Sequence, residues 1–432
     1  MKKTGLGILV ASILSSSTLY AMTELDDNAL SQVEGQALLN LEYLQGGSSQ
    51  DSLGRTYNQS NLGFYKLGLA AEMELNANIK KLQLGCGGEN SSVRTGSCDI
   101  DIDHISLSGL PANSNYSSNE RVATSAKITN PFIQFAIKNP NSTSTREVLG
   151  FRVSAEKIAG LMTLGTENSD KPNGINTFSG YMKTKQASGT AITQERTMTY
   201  ADTGLKIKGK VEGTFLGFPT TLDYTSDNYN LKLSSTTAPF TIGSTIVSGT
   251  RMTDVMLKGS GTVGTINFSG DLTADVLAGL LPLEKKVIGN ITGLKTDITV
   301  NQNLGLIHAL YLNNPASLSL QSQNILWPNA AVGANKGWWL AMEDEVELGS
   351  LSPTTQVAIT NEVLKQTIAG INKDLTNNPR DCGRILGSCI FNGDLNVGNV
   401  PMNSTTLDFP LTNLTLQGQN FKSNCYGGLK FC

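Results

Sequence analysis

Histidine, tryptophan and charge are all scarce in this chain. Its 432 residues contain two His and three Trp, aromatic residues make up 6% and charged residues 16%, where a soluble protein usually carries about 25% charged residues. With so few His, a Ser-His-Asp arrangement would have to use His104 or His308, and there is no G-x-S-x-G elbow to go with it. His308 stands in the apolar run Leu304 to Tyr311 and reads as a satisfied core residue. The 33 Lys and Arg against 36 Asp and Glu leave a net charge of −3 with no basic block, which excludes the electrostatic footprint of a nucleic-acid binder. Few aromatics weigh against the interfacial girdles of an outer-membrane β-barrel, the third class considered. Beyond residue 21 no run of about 18 apolar residues occurs, so no transmembrane helix is expected in the mature chain. Hydrophobic residues still reach 39%, too many for a chain that stays unfolded.

What is present points first to export. Met1-Lys2-Lys3, the apolar stretch Leu6 to Leu14 and the small residues from Ser15 to Ala21 have the order of a Sec signal peptide, predicted over 1–21. The product is expected in the periplasm, at the outer membrane or on the cell surface. Next comes Leu25-Asp26-Asp27-Asn28-Ala29-Leu30-Ser31-Gln32-Val33-Glu34-Gly35-Gln36. Here Asp26 or Asp27 can cap a helix that Gly35 ends. Leu25, Ala29, Leu30 and Val33 then form an apolar stripe able to dock on the body or on a partner. We assign 22–45 to this helical segment, 46–200 to one β-rich region and 201–432 to a second.

Six cysteines fall as three close pairs, Cys86 with Cys98, Cys382 with Cys389, and Cys425 with Cys432. In an exported chain, local disulfides clamping hairpin ends are the simplest pairing, and zinc is disfavoured by the spacings and by the distant His. Period-two alternation recurs, as at Leu75, Ala77, Ile79 and at Leu231, Leu233, between turn clusters such as Asn139-Pro140-Asn141. The predicted fold is mainly β, with antiparallel sheets in a sandwich-like or elongated arrangement and a few short helices. Those helices are expected at Ala155 to Met162, Ala274 to Leu281 and Asn361 to Ile371.

Motifs with possible chemistry read mostly as structure. Gly204 to Lys210 opens like a phosphate loop, but Val211 stands where Ser or Thr would bind Mg²⁺, so it reads as strand. Asp99, Asp101 and Asp103 begin like a calcium loop that lacks the turn Gly and the closing Glu. No cofactor is expected, and a structural calcium shared by these three carboxylates is the one weak metal candidate. Glu343, Asp344, Glu345 and Glu347 follow Trp338 and Trp339, with Trp327 close by in sequence. Tryptophan beside carboxylates can make a sugar-stacking surface, so these three Trp carry the alternative of a binding module for a glycan or apolar ligand.

Several stretches carry a family likeness: Leu25-Asp26-Asp27 through Gly35-Gln36, Asp101-Ile-Asp-His-Ile-Ser-Leu-Ser-Gly109, Asn130-Pro-Phe-Ile-Gln-Phe-Ala-Ile-Lys-Asn139 and Ser144-Thr-Arg-Glu-Val-Leu-Gly150. To these add Gly174-Ile-Asn-Thr-Phe-Ser-Gly180, Lys336-Gly-Trp-Trp339 and Asn424-Cys-Tyr-Gly-Gly-Leu-Lys-Phe-Cys432. Through them the chain resembles an exported gammaproteobacterial β-rich family that includes the Fil pilus-assembly proteins. The resemblance implies a β-rich exported protein linked to a surface filament, with other pilus or cell-envelope proteins as partners and no catalytic residues. The expected role is therefore non-catalytic assembly or display of an adhesive filament.

Overall fold

Strands account for most of the structure, a computed structural model that describes residues 39–110, 117–166, 173–276, 281–353, 355–384, 394–403, 405–419 and 421–424. The mainly β prediction holds: the described residues form 28 strands in three large sheets and one small hairpin, with three α-helices. Alternation sets the inward faces. In the strand Lys295–Asn303, Thr296, Ile298, Val300 and Gln302 are buried while Lys295, Asp297 and Asn301 are exposed, as a half-buried strand requires. Turn chemistry closes the hairpins. Between Ile207–Phe215 and Phe218–Leu233 the two linking residues, Leu216 (φ 49°) and Gly217 (φ 87°), are both left-handed, the conformation of the tight turn that matches strand twist.

The twelve-stranded sheet is organised around its longest strand, Glu147–Thr163. On one side it pairs with Ala126–Lys138 and, near its end, with Ile100–Ser108; on the other it pairs with Ala316–Gln321 and then Ala309–Leu312. From Ala316–Gln321 the pairing continues through Gly337–Val346 and Ile175–Thr184 to Ile100–Ser108. Five strands therefore close into a ring. The remainder of the sheet extends away from that ring through Ala126–Lys138 and Leu62–Leu69 to an edge strand, Leu39–Gln45. Leu39–Gln45, the last part of the segment assigned as 22–45, is a strand; the helix expected to end at Gly35 lies outside the described residues. The strand's Leu-x-Leu-x-Tyr alternation is the local reason.

Two seven-stranded sheets hold most of the remaining chain and share one core with the ring. Phe268, Leu272 and Leu231 from one sheet meet Ile298, Val300 and Phe409 from the other in a cluster that also takes in Ile100, Phe178 and Met342. The expected helix at Asn361 is present as Asn361–Asn377 and buries Val363, Leu364, Ile368, Ile371 and Leu375. Each such side chain contributes about 1.5–3 kcal/mol when fully removed from water. The other two predicted helices are strands: Ala155 to Met162 belongs to Glu147–Thr163, and Ala274 to Val276 ends a strand whose partner begins at Leu281. In both places ladder bonds to neighbouring strands override a weak helical pattern. Pairing also crosses position 200, since Ile175–Thr184 is bonded to both Thr245–Met252 and Gly337–Val346.

Candidate interaction face

Where the twelve-stranded sheet leaves the ring, it carries apolar side chains on both faces. Register alone places Tyr43, Tyr65, Phe135, Phe151, Leu320 and Trp338 opposite one another in a row across six strands. Two residues along, Leu41, Leu67, Ile133, Val153, Leu318 and Leu340 make a second row on the same face. Directly opposed residues share a face and touch, and Tyr43 lies 4.9 Å from Tyr65, Phe151 6.0 Å from Trp338, between ring centroids. At the ring end Trp338, Leu318 and Leu340 tuck against the main core. Away from it the rows open to solvent, with Ile133 41%, Val153 46% and Leu41 75% exposed.

The intervening positions, on the opposite face, hold Glu42, Lys66, Gln134, Arg152, Ser319 and Trp339. On this face Gln134 and Arg152 are covered, 1% and 6% exposed, alongside the apolar Phe64, Ala136 and Trp339. A segment from Ser322 to Lys336 lies over them, packing Ile325, Trp327, Val332 and Ala334 onto Phe64, Ala136 and Trp339. Arg152 donates to Gln134 Oε1 at 2.6 Å and to the Pro328 carbonyl at 2.9 Å, and its guanidinium sits 5.4 Å from both the Phe132 and Trp327 ring centroids. Burial pushes its pKa down to about 10, opposed by the Glu343 charge, so it remains cationic at neutral pH. Glu343 is raised from its ordinary value by burial, against the Ala331 N–H and Arg152. It also accepts from the Tyr181 hydroxyl and lies 3.6 Å from Lys183 Nζ. With one face packed under the Ser322 to Lys336 segment, the other leaves Phe135, Ile133 and Val153 exposed, an apolar patch of the kind that marks an interaction surface.

A groove of about 490 Å³ runs along this face, lined by Phe135, Val148, Leu149, Phe151 and Leu320, with Lys336 at its rim. Lys336 is paired with Glu89 at 3.0 Å. The rows end on the edge strand Leu39–Gln45, which pairs only with Leu62–Leu69 among the described residues. Its outer edge is a template for an added strand.

The sequence-predicted residues are placed as follows. The Cys86–Cys98 disulfide is formed; the pairs Cys382 with Cys389 and Cys425 with Cys432 each include positions outside the described residues. The stripe of Leu25, Ala29, Leu30 and Val33 also lies outside them. The three tryptophans do not make one surface. Trp338 and Trp339 are adjacent on a strand and face opposite ways, and Trp327 and Trp339, at 2% and 1% exposure, offer no ring to a sugar. Only Trp338 belongs to the exposed face.

The three aspartates are likewise divided. Asp101 and Asp103 accept from Lys81 at 2.6 and 2.9 Å and from Asn176. Lys81 and the Gln83 and Asn176 amides hold Asp101 below the usual carboxylate range, although burial acts the other way. Asp99 is buried apart from them, accepting from Arg251 Nε at 2.9 Å, Asn90 Nδ2 at 3.0 Å and the Trp338 N–H at 3.1 Å. Local cations and amides thus occupy the oxygens that calcium would need, and no group of three metal-ligating side chains occurs among the described residues. Gly337 is required beside this cluster. Its φ is 100°, and a Cβ there would sit 2.5 Å from both Asp99 Oδ2 and Asn90 Nδ2.

The carboxylates after Trp339 do not form an acid and base pair either. Asp344 caps a turn, accepting the Asn313 and Asn314 N–H groups at 2.7 and 2.8 Å, while Glu345 and Glu347 are exposed. His308 is the core residue expected, with its ring nitrogens against the Leu164 and Phe421 carbonyls. Comparison with family models, curated proteins and solved structures returns no match.

Proposed function

We propose that this chain is a non-catalytic exported protein that acts in the assembly or display of an adhesive surface filament, holding a protein partner of the cell envelope. The observation that carries this reading is the exposed sheet face: two apolar rows that open to solvent away from the ring and end on an open strand edge. Such a surface suits a partner that adds a strand to Leu39–Gln45 and lays apolar side chains along Leu67, Ile133 and Val153. Shape and apolar contact, rather than charge, would supply the affinity, since neither row contains a charged side chain.

The test is replacement of the chromosomal copy by an Ile133→Asp, Val153→Asp variant. Both positions are exposed, so the fold should survive, which near-ultraviolet circular dichroism checks. Loss of filaments and of co-purifying envelope protein, with unchanged dichroism, is the expected result. Normal filaments would overturn the reading. If the same variant instead loses a co-purifying apolar small molecule, the groove at Phe135 and Phe151 serves a ligand and the alternative of a binding module takes its place.

A further inference from the structure

The hairpin of Ile207–Phe215 and Phe218–Leu233 carries its turn well past the core. Toward the turn, the last apolar side chains of these strands to pack on the main cluster are the buried Val211 and Tyr224 and the half-buried Leu222. Tyr224 is also where pairing with Ile266–Val276 stops. Phe218 stands roughly 20 Å further along, at ~3.3 Å per residue. At the turn Leu216 is 77% and Phe218 73% exposed, and Phe215 lies directly opposite Phe218. No charged residue occurs from Gly213 to Leu222.

The turn is also a poor place for leucine. Leu216 has φ 49° and Gly217 φ 87°, a pair of left-handed positions that favours Asn or Asp before Gly, because a bulky side chain is crowded there. At 77% exposure Leu216 gains almost no burial in return. An apolar side chain that strains its turn and leaves its surface in water has its use in a contact outside the folded chain. Shape and charge narrow that contact. A two-residue turn at the end of a hairpin is a narrow convex probe, and from Phe215 to Pro219 it carries no side-chain donor or acceptor to orient a protein pocket. Between Ile207 and Tyr224 the charges are Lys208, Lys210, Glu212 and Asp223, two of each sign, so no net charge selects an anionic headgroup. The Phe215 and Phe218 backbones pair with each other, which limits the peptide groups that insertion leaves without partners.

We propose that Phe215, Leu216 and Phe218 insert into the outer part of a lipid bilayer with zwitterionic headgroups, about 5–10 Å deep. The hairpin then docks the protein on a membrane that none of its described helices is long and apolar enough to cross. This contact belongs to a different sheet from the apolar rows and does not depend on the partner they hold.

The experiment is flotation of the full mature chain with phosphatidylcholine vesicles, joined to quenching of a Leu216→Trp variant by dibrominated phosphatidylcholine. Half-binding is expected near about 1 mM lipid, the scale set by burying two or three such side chains, and at the same lipid concentration in low and high salt. Brominated vesicles should quench Leu216→Trp and leave Val153→Trp, on the apolar rows, unchanged. Leu216→Asn should weaken binding about tenfold with an equal or higher urea midpoint, since Asn suits the left-handed turn position; a merely structural leucine would not divide the two readouts this way. No flotation at about 10 mM lipid, quenching of Val153→Trp in place of Leu216→Trp, binding lost in high salt, or binding unchanged by Leu216→Asn would each overturn the proposal. Loss of a co-purifying envelope protein from Leu216→Asn, with no vesicle binding by the parent chain, would assign the tip to a protein pocket instead.

Discussion

Arg251 shows how one side chain can tie distant parts of this chain together. It is fully buried with a left-handed backbone (φ 51°), and its N–H donates to Ser179 Oγ at 2.8 Å. Its guanidinium reaches Asp99, the Arg94 and Gly85 carbonyls at 3.1 and 2.8 Å, and the Gly87 carbonyl. The disulfide-closed loop from Cys86 to Cys98 is thereby fastened to strands that lie more than a hundred residues further on. Removing one partner of a buried ion pair strands the other charge, at a cost of about 3–5 kcal/mol. Arg251→Ala is expected to lose that much in urea unfolding, and a loss under about 1 kcal/mol would show that Asp99 finds water or another partner. A lone Arg in Ser248-Gly-Thr-Arg251-Met252 gives no hint of this in sequence, because its partners lie far off in the chain, four between Gly85 and Asp99 and the fifth at Ser179.

Among the elements, Gln419 and Phe421 show how a segment without strand or helix is held to the body. The Gln419 side chain accepts the His308 and Ala309 N–H groups at 2.9 and 2.7 Å, and Phe421 meets Tyr311 edge to face at 5.1 Å. The His308 ring also contacts the Phe421 carbonyl. Burial holds the His308 pKa below 6.5, helped by Arg121 and Lys422 and opposed by the Leu164 and Phe421 carbonyls. A base with a depressed folded pKa binds more protons unfolded, so stability is lost as pH falls from about 6.5 through the folded value. Proteolysis around residues 419–424 is therefore expected to be faster at pH 5 than at pH 7.5, and His308→Gln should flatten the difference. Equal rates at both pH values in the parent chain would contradict it. Glu343 works in the opposite direction, its raised pKa favouring the fold as pH falls, so a local probe at this segment is needed rather than a global melt. The strands that make the exposed face are harder to read from sequence than Lys295–Asn303. In Pro131-Phe132-Ile133-Gln134-Phe135-Ala136-Ile137, apolar residues fall on both faces, so period two is masked.

For the whole molecule, the connections are long. Lys295–Asn303 pairs in parallel with Thr406–Thr412, Ile175–Thr184 with Gly337–Val346, and Leu281–Thr292 with Leu395–Pro401. Loop closure must precede each pairing, so folding dominated by such contacts is slow. Refolding from urea, followed by tryptophan fluorescence with the Cys86–Cys98 bridge intact, is expected to take about a second or longer. Completion within about a millisecond would mean that local contacts carry the fold.

The sequence by itself determined the class of this protein: mainly β, a disulfide between Cys86 and Cys98, a helix at Asn361 among three expected, and a buried His308. Each of these depends on neighbours in the chain, on alternation, spacing or helical period, and so survives in one dimension. Only the tertiary structure decided that Asp99 parts company with Asp101 and Asp103, that Trp327 and Trp339 are buried while Trp338 is not, and that twelve apolar side chains line up on one face of a sheet opposite a covered arginine. Those outcomes are set by register between strands as far apart in sequence as Gly150 and Gln321, and a shift of one residue in any pairing would turn that strand's side chains to the other face.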